Sequence, residues 1–370
     1  MTDAKSIRKQ VCCFLKDNKK KKAEIDIPKD FKPDSLVNPL LLCYRKAVLF
    51  LQKWIIPCRL KNWLLSTTGI RIGLDACIPH YIHFDPYFPE LISIGRGSLV
   101  GGLSSFHTHK IKDRKLLLGR IDVKERALIA GLTTIFPGVT VNKHAITGMK
   151  STITNDVPER GFVVGRDKLL KIWSDEEVER HFGESKHDPA YYKEYRQKTR
   201  EFRKNQGIMR VTIRNNGRRL NPGNEWYLAR PWIRIFYNAA FVETARIAPW
   251  EWLRKLLYTC MGVRLGRNVK LGKGTVFDHI YGDMCAVGDN VKIGKNCYFD
   301  NHSYTLAESD YGRIVIGENT IIEDNCYVFC GARIGRGCTL KNGAAVLRDV
   351  PDGETWAGMP AKPVELKKDK

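Results

Sequence analysis

The chain has 370 residues, enough for two or three domains. Its 43% hydrophobic and 10% aromatic content is too high for a disordered polymer. Lys and Arg number 62 against 40 Asp and Glu, a formal net charge of +22 that favours anionic partners. No RNP-like aromatic motif, Cys/His finger spacing or helix-turn-helix pattern accompanies that charge, so nucleic acid is not the expected partner.

Residues 1–37 form a basic segment with Cys12-Cys13 on a helical lead-in and a lysine run at 19–22. Residues 1–22 hold no long apolar run, which predicts a reducing, cytoplasmic setting for the 11 cysteines. Residues 40–65 are rich in Leu, Ile and Trp but carry Arg45, Lys46, Lys53, Arg59 and Lys61. Residues 232–261 repeat the character, with Trp232, Trp250 and Trp252 among Arg234, Arg246, Arg254 and Lys255. Neither stretch reaches the roughly 20 apolar residues of a membrane span. Both suit an amphipathic element on the inner membrane surface, or a helix packed over the end of its own domain.

The chain repeats itself at an offset of 193 residues. Arg71 and Gly73 match Arg264 and Gly266, Phe84-Asp85 matches Phe277-Asp278, and His109 matches His302. Gly119-Arg120-Ile121 matches Gly312-Arg313-Ile314, and Asp156-Val157-Pro158 matches Asp349-Val350-Pro351. The expected organisation is a first domain at 38–166 and a second at 231–370, each with its amphipathic lead-in. Residues 167–230, polar and charged, read as a helical connector.

Inside each half a period of six appears. Ile316, Ile322, Val328, Ile334, Leu340 and Val346 are evenly spaced, as are Val123, Ile129, Ile135, Val141, Thr147 and Ile153. Helices and half-buried strands have periods near 3.6 and 2. Period six predicts a solenoid of three short strands per 18-residue turn, each pointing one side chain inward. Small residues recur four places on, at Thr133, Ala145, Thr320, Ala332 and Ala344. Cys297, Cys326 and Cys338 fall on the same position, which predicts buried core thiols rather than metal ligands.

The segment at 314–366, ending Arg348-Asp349-Val350-Pro351 and then Trp356-Ala357-Gly358-Met359-Pro360-Ala361-Lys362, resembles the hexapeptide-repeat acyltransferases. The segment FDPYFPELISIG at 84–95 resembles the streptogramin and polysaccharide O-acetyltransferase branch. The resemblance implies an all-β solenoid fold: two single-stranded left-handed parallel β-helices with helical lead-ins and a helical linker. It implies acyl transfer, acetyl in the first instance, from coenzyme A to a hydroxyl or amine of a saccharide or lipid-linked acceptor. It also implies a homotrimer with sites between neighbouring β-helices.

Each coil series is interrupted once, at 107–122 and at 300–315, and each excursion opens on a histidine, His109 or His302. Thioester acyl transfer needs a base for the acceptor's proton, and imidazole titrates near working pH. The resembled family places its catalytic histidine at this loop. Asp85 and Asp278 recur before a coil; they suit an acceptor contact, an orienting bond to the base, or a turn cap. Asn301 is a further acceptor candidate. For coenzyme A the resemblance points to the later coils, at Gly331, Ala332, Gly343 and Ala344, with Lys341, Arg348 and Lys362 near its phosphates. The second half keeps the GMPAKP ending and the first does not, so the chemistry is expected there first.

Two other classes fit less of the pattern. A γ-carbonic-anhydrase-like metal lyase needs three converging histidines, for which His107, His109 and His144 are a thin match, so no metal is expected. A non-catalytic β-helix scaffold would use the lead-in helices for assembly or membrane docking.

Overall fold

The computed structural model describes residues 4–73, 75–182, 189–214, 226–305 and 308–364. The chain divides into two compact units, one built essentially from Met1–His187 and the other from Asp188–Arg214, Glu225–Tyr304 and Glu308–Lys370.

Each unit is a left-handed β-helix. In the second, three parallel sheets share the work: Cys285–Val287 pairs with Ile314–Ile316, Lys292–Ile293 with Ile321–Ile322, and Tyr298–Phe299 with Tyr327–Val328. Val315 lies beside Arg333 and Ile321 beside Thr339, a rise of one 18-residue coil. The first unit repeats this, with Thr134 beside Thr152 and Leu128 beside Ile146. The period-six side chains fill the interior: Val123 through Ile153 and Ile316 through Val346 are all buried. Cys297, Cys326 and Cys338 are buried among them, as small hydrophobes beside the inward aliphatics.

Two departures from an 18-residue coil occur at the same places in both units. The first coil is longer, with Arg264 beside Ala286 and Arg71 beside Ser93, 22 residues apart. The excess falls after Asp278 and after Asp85. The second departure is the expected excursion, which spaces Lys292 and Ile321, and likewise Leu99 and Leu128, 29 residues apart. The excursion is an antiparallel hairpin in both cases: His302–Tyr304 against Glu308–Gly312, and His109–Lys112 against Lys115–Gly119.

Where they are described, the residues expected as a connector, 167–230, and as a basic N-terminal segment, 1–37, are taken up by the two units, while 183–188 and 215–225 lie outside the described residues. Lys168–Ile172 folds back on Gly161–Val164 and belongs to the first unit, as does the helix Asp175–Phe182 after it. The helix Pro189–Lys204 and the strand Arg210–Arg214 belong to the second unit, where the strand pairs with Glu308–Gly312. Residues of the N-terminal segment do the same in the first: the helix Ala4–Lys16 leads to the strand Lys22–Asp26, which pairs with Lys115–Gly119. Each arm is held by one arginine whose guanidinium meets a set of backbone carbonyls. Arg120 donates to Phe14 O and Lys20 O, and Arg313 to Phe202 O and Ile208 O. A planar five-donor group suits a chain end whose carbonyls lack partners.

The lead-in helices close the start of each coil. Pro39–Leu51 begins at Asn38, whose side chain accepts from Leu40 N and Leu41 N, with Pro39 pre-set for the first turn. Many cations of the amphipathic stretches turn inward, not toward water. Lys61 donates to Ile55 O and Pro79 O, Arg45 to Tyr87 O and Glu90, and Arg254 to Ala248 O, Pro249 O and Leu271 O. The first coil has no coil before it, so its carbonyls need donors from elsewhere. Burial lowers the Lys61 ammonium to a pKa of about 7.

Candidate active site

The site in each unit forms where the long first coil meets the hairpin. Asp278 follows the inward Phe277 and lies beneath His302, the first residue of the hairpin strand. Its Oδ1 accepts from Ile280 N (2.5 Å) and Tyr281 N (2.9 Å). Its Oδ2 accepts from Asn301 N (2.8 Å) and from His302 Nδ1. A carboxylate can only accept, so Nδ1 carries the proton and neutral His302 presents Nε2 as its basic nitrogen.

The first unit repeats three of these bonds and adds one from the Thr108 hydroxyl. Asp85 Oδ1 accepts from Tyr87 N (2.9 Å), and its Oδ2 from Thr108 N (3.1 Å), Thr108 Oγ1 (2.7 Å) and His109 Nδ1. Tyr87 and Phe88 meet the His109 ring edge-on. Both aspartates are buried and both histidines are partly open.

Burial alone would raise the Asp278 carboxyl, but the His302 charge and the backbone donors outweigh it and bring its pKa to about 2. For His302 burial disfavours the charged ring, while Asp278 and then Asp300 more than compensate and raise its pKa above 6.5. Asp85 is likewise lowered: burial opposes, and the His109 and Thr108 bonds prevail.

Both aspartates cap a turn and both hold an imidazole, and both are buried. Asn301 is fully buried, donating to Gly312 O and accepting from Cys285 Sγ, and so ties the hairpin to the coil.

The residues expected along coenzyme A are placed as follows. Ala332 and Ala344 are buried, and the backbone N–H groups of Ala332, Gly343 and Ala344 donate to Phe329 O, Asp324 O and Lys341 O within the coils. Gly331 turns with φ 79° beside the Arg210 side chain. Lys341 pairs with Glu323 at 2.9 Å, Arg348 lies over the Trp356 ring, and Lys362 is exposed on the closing strand Ala361–Pro363. The two alanines therefore offer no surface of their own.

Sequence reasoning missed the surroundings of His302. Tyr304 lies against its ring, and the Tyr304 hydroxyl is 3.0 Å from that of Tyr311, which also bonds Tyr195. Asp300 accepts from the Tyr327 hydroxyl. None of these follows the period of six, and Tyr195 comes from the arm. Among the described residues, Asp278, Asp300 and His302 form the one group whose ligand atoms lie within 4.8 Å of one another. His107, His109 and His144 form no such group, so within one chain the three-histidine arrangement of the lyase alternative is not assembled.

No family model matches the chain. Over 144 residues it is 27% identical to "Putative acetyltransferase YvoF" of Bacillus subtilis, covering 39% of this chain and 84% of the relative. Over 110 residues it is 31% identical to UDP-3-O-acylglucosamine N-acyltransferase of a Methylobacterium species, covering 28% of this chain but only 29% of that one. Among solved structures, the hexapeptide-repeat acetyltransferase VCA0836 of Vibrio cholerae, complexed with acetyl coenzyme A, superposes with a TM-score of 0.31 at 18% identity. That match covers 37% of this chain and 89% of the other. Period-six coils, together with relatives in sequence that are named putative acetyltransferases, make the chain similar to the hexapeptide-repeat acyltransferases.

Proposed function

We propose that the protein transfers an acyl group, acetyl in the first instance, from coenzyme A to a hydroxyl or amine of a saccharide or lipid-linked acceptor. His302 is the general base, and His109 is its counterpart in a second site of the same kind. The observation that carries this reading is the Asp–His pair, built from the same backbone bonds in both units. The carboxylate fixes the tautomer and the ring, and Nε2 takes the proton of the attacking acceptor as it adds to the thioester carbonyl. The thioester already supplies activation, so positioning is the protein's main contribution.

Coenzyme A would lie along the later coils. Gly331 and the cations Lys341, Arg348 and Lys362 are the candidates to meet it, through backbone and phosphate contacts. A homotrimer, with each site completed by a neighbouring β-helix, is part of the same reading, as is descent of the two units from one duplicated domain. The matching bonds of Arg120 and Arg313 to their arms support the duplication.

The lead-in helices support contact with an anionic lipid surface. Their cations Arg45, Lys61 and Arg254 are spent on the interior, while large apolar side chains face outward: Leu40 is 82% exposed, Trp63 64%, Ile233 65% and Trp252 64%. No helix among the described residues is long and apolar enough to cross a membrane. Outward Trp, Leu and Ile on a chain of net charge +22 suit shallow insertion among anionic headgroups.

Thiol release from acetyl-CoA, followed with purified protein and amino or neutral sugars as acceptors, tests the function. Release that depends on acceptor supports the reading. A protein that neither binds coenzyme A by calorimetry nor releases thiol contradicts it.

A further inference from the structure

The two Asp–His pairs are alike, but their surroundings differ: a carboxylate stands beside one, and a neutral imidazole with a nearby ammonium beside the other. Asp300 and His107 hold the same backbone place: Asp300 N donates to Val328 O at 3.0 Å, and His107 N to Ile135 O at 2.9 Å. In the second unit this place puts a carboxylate within 4.8 Å of the ligand atoms of both His302 and Asp278. Tyr327 donates to one of its oxygens, and Tyr304 lies against the His302 ring. In the first unit the same place carries an imidazole. His107 lies between the rings of His83 and Phe136, at 5.9 and 6.1 Å. Lys110, one residue after His109, sets its ammonium 5.3 Å over the Phe136 ring, where the second unit has Ser303 after His302. The packing around the hairpins differs too: Ile7 and Phe88 pack with Leu116 and Leu118 of the first hairpin, while Tyr195 and Tyr281 meet Tyr311 of the second.

We infer that the two units serve acceptors of opposite charge: the His302 site acylates an amine, and the His109 site acylates a hydroxyl on an anionic, phosphate-bearing acceptor. The inference rests on the acyl-transfer reading above. An amine nucleophile acquires positive charge as its nitrogen bonds to the thioester carbon, and a carboxylate beside the base stabilises that charge. A hydroxyl is far less basic and attacks as its proton leaves for Nε2, so less positive charge builds on its oxygen and the carboxylate stabilises it less. At His302 the neutral amine attacks, the C–N bond forms and the C–S bond breaks. The nitrogen's proton passes to Nε2 and then to the departing thiolate, leaving an amide and free coenzyme A thiol. At His109 the hydroxyl follows the same course to an ester, while Lys110 attracts the anionic part of the acceptor and neutral His107, its pKa lowered by burial, can donate a hydrogen bond to it.

The full chain tests this with one site silenced at a time. His109→Ala leaves the His302 site, and His302→Ala leaves the His109 site. Thiol release from acetyl-CoA is measured with glucosamine, glucose and glucose 6-phosphate. The expected kcat/KM in His109→Ala is at least tenfold higher for glucosamine than for glucose. In His302→Ala it is at least tenfold higher for glucose 6-phosphate than for glucose. Adding Asp300→Asn to His109→Ala should remove most of the amine preference, lowering the glucosamine rate more than the glucose rate. Equal use of glucosamine and glucose by His109→Ala, or an Asp300→Asn effect equal on both, overturns the inference and leaves acyl transfer standing. Release with none of these sugars by a chain that binds acetyl-CoA also overturns it. Absence of both coenzyme A binding and thiol release overturns acyl transfer itself.

Discussion

The Asp278 carboxylate accepts from His302 Nδ1 and from the backbone N–H groups of Ile280, Tyr281 and Asn301. One buried side chain thus caps the turn of the long first coil, anchors the hairpin and fixes the tautomer of the histidine. Asp278→Asn should therefore damage more than a contact. The amide keeps the shape but can present its NH₂ to His302, which favours the wrong tautomer. Activity with an amine acceptor should fall by about 10²–10⁴-fold. Thermal unfolding should show a lowered midpoint with the far-UV circular dichroism retained.

The pH dependence follows from the same pair. Acyl transfer needs neutral His302, whose pKa stands above 6.5: burial works against the charge, but Asp278 and Asp300 prevail. The acid limb of kcat/KM in a His109→Ala background should therefore have its midpoint above 6.5, and Asp300→Asn should move it lower. Stability carries two opposite signs. Asp278 is depressed to about 2 from 3.8, so its contribution is present above roughly pH 4 and is lost as pH falls toward 2. His302 is raised, so its contribution is present below 6.5 and is lost as pH rises through its folded value. Urea midpoints measured at pH 3, 5.5 and 8.5 should peak at the middle value, and the peak should flatten in Asp278→Asn.

Gly312 tests the packing of hairpin against coil. A Cβ there would lie 2.2 Å from Gly331 N and 2.5 Å from Gly331 Cα, both backbone atoms that cannot swing aside. Gly312→Ala should cost about 1–3 kcal/mol by overpacking, read from chemical denaturation. It should also displace Asn301, whose side chain donates to Gly312 O.

The outward apolar helices predict lipid binding. Co-sedimentation with vesicles containing phosphatidylglycerol should exceed that with phosphatidylcholine alone. Combined Trp232→Ser, Trp250→Ser and Trp252→Ser should reduce binding at least tenfold without loss of secondary structure. These three side chains are exposed, so their removal leaves no cavity.

The coils were readable because each inward residue is forced to repeat: Ile316, Ile322 and Val328 occupy one narrow interior, and any polar residue there would be stranded. The two histidines were readable because an excursion breaks that repeat at a fixed place. The arms were not. They match at an offset of 188 rather than 193, with Phe14 against Phe202 and Ile25 against Ile213. The other arm positions change character, as Ile7 against Tyr195 and Val11 against Thr199 show. The lead-in cations could not be placed for a different reason. Composition cannot say which face of a helix an arginine takes, and carbonyls at the open end of a coil drew Lys61 and Arg254 inward. Asp300 and Tyr304 belong to no repeat, so only the fold brings them to His302.

The account's central claim is that His302 and His109 are the bases of two acyl-transfer sites. The most direct measurement is steady-state thiol release from acetyl-CoA by the full chain, its two single His→Ala variants and the double variant, all checked for native circular dichroism. The account predicts that each single variant loses one class of acceptor and that the double variant falls to the uncatalysed rate. A double variant that releases thiol at the wild-type rate would contradict it.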